Sequence, residues 1–188
     1  PLGFRHFYTK KPVATIDDMK HLRMRVPNIP LYINFAKECG ISGQPMPFAE
    51  VTGALDQGVI DGGDSPLADI VSLKMYEITP EITLTGHILV IHSLYINDKF
   101  YQSLPAEDKK WFDEAAKRSA NDVWVMVKEG DEKAKETILA NKGSINTPSK
   151  EFHDYMAEAG KRSWKLFYDT VPNCQAILDS AASYRESK

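Results

Sequence analysis

The chain has 188 residues, a formal net charge of −3, 43% hydrophobic and 26% charged residues, the balance of an ordinary globular chain and not of a disordered one. That length suits one sizeable α/β domain or two small lobes. No basic stripe offers nucleic acid or an anionic membrane a counter-charge, and the longest apolar runs, such as residues 87–96, fall well short of the ~20 residues a membrane helix needs. Cys39 and Cys174 alone define neither a metal cage nor a redox motif, and a bond between them and two separate thiols are both open. The opening Pro1-Leu2-Gly3-Phe4 lacks a basic, apolar leader and runs straight into a strand-like stretch, which reads as a cut inside a longer protein.

Residues 3–8 read as an aromatic-rich strand stopped by Lys10-Lys11-Pro12. Thr15 with Asp18 three residues on has the spacing of a helix N-cap and predicts a short helix to about residue 20. Leu22, Met24 and Val26 then alternate with Arg23 and Arg25, the period of a half-buried strand, and Pro27-Asn28 ends it. Helical spacing follows over 31–39, with Gly40 the expected C-cap. Pro45-Met46-Pro47 predicts an extended elbow, followed by a helix over 48–56 closed by Gly58. A short strand at 59–61 is expected to run into a turn at Gly62-Gly63-Asp64-Ser65-Pro66. A helix over 67–74 and strands over 81–85 and 87–96 follow.

Between Pro105 and Asn141 no proline intervenes, and Trp111, Ala115, Ser119, Val123 and Val127 keep a helical period. Unbroken, that run would be roughly 55 Å long, and Gly130 is the expected place for a break or kink. A strand at 144–146, a helix capped by Ser149 to about residue 168 and a last helix over 172–183 close the chain. Alternating strands and helices followed by helices predict α/β layers, a largely parallel sheet and a helical C-terminal part.

Catalytic signatures are absent. His6, His21, His87, His92 and His153 form no pair at ligand spacing, and there is no nucleophile elbow, phosphate-cradling glycine loop or Cys-x-x-Cys. His87 and His92 read as structural or surface residues. Asp56, Asp61, Asp64 and Asp69 cluster around Gly62-Gly63, but the spacing of a calcium loop and its terminal Glu are missing, which leaves turn chemistry or a ligand-facing loop at the carboxyl end of the sheet. Arg25 is the sharper candidate: near the end of a strand, its planar guanidinium suits a carboxylate, although an exposed strand arginine gives the same pattern. Arg5 carries the same two readings, and Phe48, after Pro-Met-Pro, could wall a pocket or fill a core.

In order and spacing, Arg25-Val26-Pro27-Asn28, Pro45-Met46-Pro47-Phe48-Ala49-Glu50-Val51 and Ala54-Leu55-Asp56-Gln57-Gly58-Val59-Ile60-Asp61-Gly62 resemble the solute-binding proteins of tripartite ATP-independent periplasmic (TRAP) transporters, the DctP family or extracellular solute-binding protein family 7. Lys74-Met75-Tyr76-Glu77, Thr85-Gly86-His87 and Leu104-Pro105 add to the likeness, which covers essentially the whole chain. The resemblance implies that Arg25 clamps a ligand carboxylate, that Arg5, twenty residues earlier, assists, and that Phe48 lines the pocket. Where the family has an asparagine this chain has Ser65, preceded by Asp64: the hydroxyl could reach the ligand through water, or Asp64 could bind a ligand hydroxyl. Thr52 replaces a usual tyrosine.

The implied fold is of the class II periplasmic-binding-protein type, a mixed sheet with flanking helices and a long lobe-spanning helix. Residues 1–90 and 131–188 would make the second lobe, and 91–130 would belong to a first lobe largely missing here, leaving binding weak and exposed apolar surface prone to self-association. The implied function is not catalytic: delivery of an organic acid, a carboxylate or sugar acid, to the membrane permease from the periplasm, without cofactor or metal. A ligand-sensing, co-inducer-type domain on a related two-lobed fold is the alternative, and an enzyme on such a fold a further one that no nucleophile–base set supports.

Overall fold

The computed structural model describes residues 2–168 and 170–186. Its first strand, β1, spans Gly3–Thr9 and turns Phe7, Tyr8 and Thr9 inward. Helix α1, Ile16–Met19, begins as its sequence requires: the Thr15 hydroxyl accepts from the Asp18 amide and the Asp18 carboxylate accepts from the Thr15 amide. Strand β2 is Arg23–Val26. Helix α2, Pro30–Glu38, opens with proline in its first turn and gives way at Cys39 to Gly40, whose φ of 78° is the left-handed conformation glycine supplies. Strand β3, Ser42–Pro45, was not expected, because Ser-Gly-Gln-Pro has no apolar alternation. Its place comes from parallel pairing with β2, Arg25 opposite Gln44. The expected helix over 48–56 is a 3-10 turn, Phe48–Glu50, followed by α3, Val51–Asp56.

The largest departure lies at 59–66. Strand β4 is Gly62–Pro66, every residue buried, and 59–61 is not a strand. Gly-Gly-Asp-Ser-Pro has the composition of a turn, yet Gly62 and Gly63 pair in parallel with Met24 and Arg25, and backbone hydrogen bonding overrides local composition here. Helix α4 is Leu67–Ser72, a 3-10 turn covers Met75–Glu77, and strands β5, Glu81–Thr83, and β6, Leu89–Val90, follow. The strand expected over 87–96 thus shrinks to two residues, and Ile91, Leu94 and Tyr95 stand exposed. Helix α5, Asp98–Ser103, begins where the Asn97 side chain accepts from the Phe100 amide. Helix α6, Ala106–Ala140, runs for 35 residues through Gly130 without the expected break. Strand β7, Ser144–Asn146, helix α7, Lys150–Trp164, capped by Ser149, a 3-10 turn at Lys165–Phe167 and α8, Cys174–Glu186, complete the order.

The chain divides into two compact units, Pro1–Pro12 with Asp64–Thr147 and Val13–Gly63 with Pro148–Lys188. In the first, β1 pairs antiparallel with β5 and β6, and β5 pairs parallel with β7. Helices α4 and α6 pack on each other and on β1 around Phe7, Tyr8, Leu67, Ile70, Ile82 and Ile138. In the second, β2 lies between β3 and the start of β4, both parallel to it. Helices α2 and α7 pack together there, with Phe35, Phe152 and Met156 buried alongside Met24, Val51 and Leu55. Each such side chain contributes about 1.5–3 kcal/mol relative to leaving it in water. Pairing is therefore mixed, as the family resemblance implied, and not largely parallel as the alternation of elements alone suggested. Cys39 and Cys174 are both free thiols, and burial pushes the Cys39 thiol up to about 12, so it is inert at neutral pH.

Candidate functional site

The sequence-derived candidates fall into two clusters, one in each unit. In the second unit, Arg25 sits on β2 between Met24 and Val26 and is 6% exposed, so the surface-arginine reading does not hold. The Pro45-Met46-Pro47 elbow explains its orientation. Met46 donates its amide to the Val26 carbonyl at 3.3 Å, and the Met46 carbonyl accepts from Arg25 Nε at 3.2 Å. Phe48, at the start of the 3-10 turn, lies with its ring centroid 5.3 Å from the guanidinium carbon, within cation–π range. A guanidinium held by a carbonyl on one edge and a ring beside it loses little freedom when it binds a planar or tetrahedral oxyanion. Phe48 keeps 37% exposure, which fits a wall better than a core residue.

In the first unit, Arg5 and Asp64 form a buried pair. Arg5 donates from Nε to one Asp64 carboxylate oxygen, from Nη2 to the other at 3.1 Å, and from Nη2 to the Asp64 carbonyl. His87 Nε2 lies 3.1 Å from the same carboxylate, and its Nδ1 lies 2.7 Å from the Thr85 hydroxyl. Burial by itself would push the Asp64 carboxyl up; hydrogen bonds from His87 and Arg5, with their charges, overcome it and hold the carboxyl far below the usual range. Asp64 is therefore an acceptor-only carboxylate at any physiological pH. Its neighbour Ser65 is 1% exposed, and its hydroxyl has no hydrogen-bond partner among the described residues. Buried hydroxyls are normally satisfied, so Ser65 is the orphan polar group of this cluster.

Asp61 is drawn off elsewhere, accepting from Arg23 Nε at 3.0 Å, Nη2 at 2.6 Å and the Arg23 amide at 3.0 Å. The aspartate-rich stretch is thereby divided between two arginines, and among the described residues no group of three acidic, histidine or cysteine side chains could hold a metal. No described helix is long and apolar enough to cross a membrane. Sequence reasoning left His87 as structural or surface, and Thr85 without a role. The signal for both was the Thr85-Gly86-His87 run, whose two side chains point into one hydrogen-bonded chain ending on Asp64.

A family model described as DctP, bacterial extracellular solute-binding protein family 7, matches residues 2–170. The chain belongs to this family. A TRAP periplasmic solute-binding protein from Desulfovibrio desulfuricans, crystallised with bound sn-glycerol-3-phosphate, is 80% identical, with a TM-score of 0.94 over 100% of this chain and 60% of that one. A TRAP periplasmic solute-binding protein from Haemophilus influenzae with bound L-gulonate is 31% identical, with a TM-score of 0.86 over 96% of this chain and 60% of that one. A third, from Fusobacterium, with bound sn-glycerol-3-phosphate, is 27% identical, with a TM-score of 0.84 over 99% of this chain and 60% of that one. The mixed α/β fold with flanking helices is that of TRAP solute-binding proteins. Against curated relatives the family 7 chain spans 51% or less of their length in the first two matches.

Proposed function

We propose that this family 7 chain serves as the extracytoplasmic solute-binding component of a TRAP transporter, taking a small organic anion in the periplasm and delivering it to the membrane permease. The observation that carries the reading is Arg25: a buried cation whose orientation is fixed by the Met46 carbonyl and the Phe48 ring before any ligand arrives. Such a group makes charge-assisted, paired hydrogen bonds to a carboxylate or a phosphate. Phe48 lines the ligand's path, Ser65 supplies a hydroxyl that has no hydrogen-bond partner among the described residues, and Asp64 accepts from a solute hydroxyl. Arg5 acts by holding Asp64 ionised and oriented. Residues 1–90 and 131–188 serve as the second lobe of the binding protein, and 91–130 as part of the first.

The anionic head is a phosphate monoester in this reading. The 80% identical Desulfovibrio protein carries sn-glycerol-3-phosphate, whose dianionic head suits the Arg25 guanidinium. A sugar acid is the second reading, supported by L-gulonate on the Haemophilus protein. An NMR-detected titration of the protein with sn-glycerol-3-phosphate, L-gulonate and uncharged glycerol separates them. Saturable shifts of Arg25 and Phe48 with the phosphate, weaker shifts with gulonate and none with glycerol are expected. Arg25→Ala should weaken binding by about 2–5 kcal/mol, because the anion loses its paired donor. Equal response to glycerol, or unchanged affinity in Arg25→Ala, defeats the anion clamp.

A further inference from the structure

The turn that presents His87 to Asp64 is itself held by a second imidazole. His6, on β1, accepts a hydrogen bond from the Gly86 amide at its Nδ1, 3.1 Å away. That bond requires an unprotonated Nδ1, so the proton of the neutral ring sits on Nε2. Gly86 has a φ of 55°, a left-handed turn residue flanked by the two side chains that act on the Asp64 cluster. Thr85 meets His87 Nδ1, and His87 Nε2 meets the Asp64 carboxylate. The His87 ring is further fixed by Phe7, the residue next to His6, at a centroid distance of 5.1 Å. From His6 Nδ1 to the Asp64 carboxylate there is thus a continuous path: one amide, one turn, one imidazole.

We propose that His6 is an acid-released latch on this turn: neutral, it fixes Gly86 and so the placement of Thr85 and His87 on Asp64; protonated, it cannot accept the amide, and the turn with its grip on Asp64 is let go. The surroundings set the direction. A charged His6 would meet the cationic or potentially cationic groups that bear on it, His87 from the turn and Lys135 from α6, the latter paired with Glu132 at 2.7 Å. Burial and these two neighbours lower the His6 pKa to about 4, so the latch is closed at neutral pH. Of the acidic groups on elements packed against β1, Asp69 of α4 and Asp131 of α6 are pushed up chiefly by burial, opposed by Arg5 and His92 at Asp69 and by Lys135 at Asp131, while Glu81 of β5 accepts from Ser144 and Asn146.

The device is independent of which solute the protein takes, so its test uses no ligand. Two-dimensional NMR of the full chain from neutral pH to about pH 3.5 follows the His6 ring, the Gly86 amide and the Asp64 carboxyl carbon, bracketing the ordinary histidine range. The expected result is one shared midpoint, well below that of an ordinary histidine, at which the Gly86 amide shifts upfield and loses exchange protection while the Asp64 carbon moves. In His6→Asn, whose amide oxygen can accept from Gly86 without titrating, those two transitions should vanish from this range. A His6 midpoint near that of a free histidine with Gly86 unmoved would overturn the latch. So would Gly86 and Asp64 transitions that persist in His6→Asn. Should the variant not fold, the coincidence or separation of the three midpoints in the unsubstituted protein still decides.

Discussion

Two arginine–aspartate pairs in this chain make almost the same contacts in opposite settings. Arg5–Asp64 joins two side chains that are 9% and 7% exposed, with His87 as a third member. Arg23–Asp61 is also two-pronged, but its side chains are 46% and 30% exposed. Geometry alone would rank them together. Burial separates them, because an ion taken out of water depends on its partner for nearly all of its solvation, whereas an exposed ion falls back on water and salt. The buried pair lies beside the orphan Ser65 hydroxyl, whereas the exposed pair ties the first residue of β2 to the residue before β4, and that difference is why the proposed site draws on Asp64 and not on Asp61.

The largest expected effect tests that contrast directly. Arg5→Ala leaves the Asp64 carboxylate buried with His87 alone and should lower stability by about 3–5 kcal/mol in denaturant unfolding. Replacing both partners by apolar residues of similar volume should recover most of that loss, since the stranded charge is what costs stability. If the single change is nearly neutral, Asp64 is less dependent on Arg5 than the hydrogen bonds imply, and the contrast collapses.

Acid sharpens the same comparison by splitting the buried cluster in time. His6 has a folded pKa of about 4 against 6.5 unfolded, so the unfolded chain binds the extra proton between those values, and stability falls as pH drops through that window and then levels off. The loss should be about 2 kcal/mol, after allowing for partial exposure of the ring. Asp64 behaves oppositely in position: its depressed pKa contributes stability that is complete above the ordinary carboxylate value and is lost only at lower pH. Thermal unfolding against pH should therefore show two separated declines, and His6→Asn should erase the upper one alone. A single decline below pH ~4 would mean that His6 is not the buried neutral base described here.

A cap provides the scale between the two pairs. Thr15→Ala removes the hydroxyl that accepts from the Asp18 amide and should cost about 1 kcal/mol. The helix it starts is four residues long, so a smaller effect in equilibrium unfolding would show α1 to be held by Met19 in the core more than by its cap.

What the sequence made legible follows from how local each signal is. Caps at Thr15 and Ser149, the long proline-free helix and the strand carrying Arg25 depend on neighbours a few residues away, and all were placed within a residue or two. Strands β3 and β4 were missed or displaced because their signal is not local: Ser-Gly-Gln-Pro is a strand through pairing with β2, and Gly-Gly-Asp-Ser-Pro through pairing with β2 and β1. The candidate residues share that division. Arg25, Arg5, Phe48, Asp64 and Ser65 were reachable from motif order and family likeness, yet which acid each arginine holds was not. Asp61 and Asp64 are three residues apart, and their partners, Arg23 and Arg5, are set by strand order, which no spacing rule encodes. The Thr85-Gly86-His87 run flagged His87 as part of the family likeness, but not its contact, because its partner is a carboxylate 23 residues away.

The smallest expected effect is at the exposed pair, and the choice of substitution matters. Asp61 accepts not only from the Arg23 side chain but also from the Arg23 amide. Removing Asp61 would therefore strip a backbone donor of its partner and mix two effects. Arg23→Ala deletes the guanidinium and leaves the amide bond to Asp61 in place, so it isolates the ion pair. Its effect on unfolding should fall below that of Thr15→Ala at low salt and disappear at about 1 M salt, where the screening length shrinks to about 3 Å. Arg5→Ala, measured in the same salt series, should keep nearly all of its effect, because its partner lies where counterions do not reach. If Arg23→Ala proves as damaging as Arg5→Ala, or as indifferent to salt, then burial is not what distinguishes the two pairs, and the proposal of Asp64 rather than Asp61 as a site residue loses its physical basis.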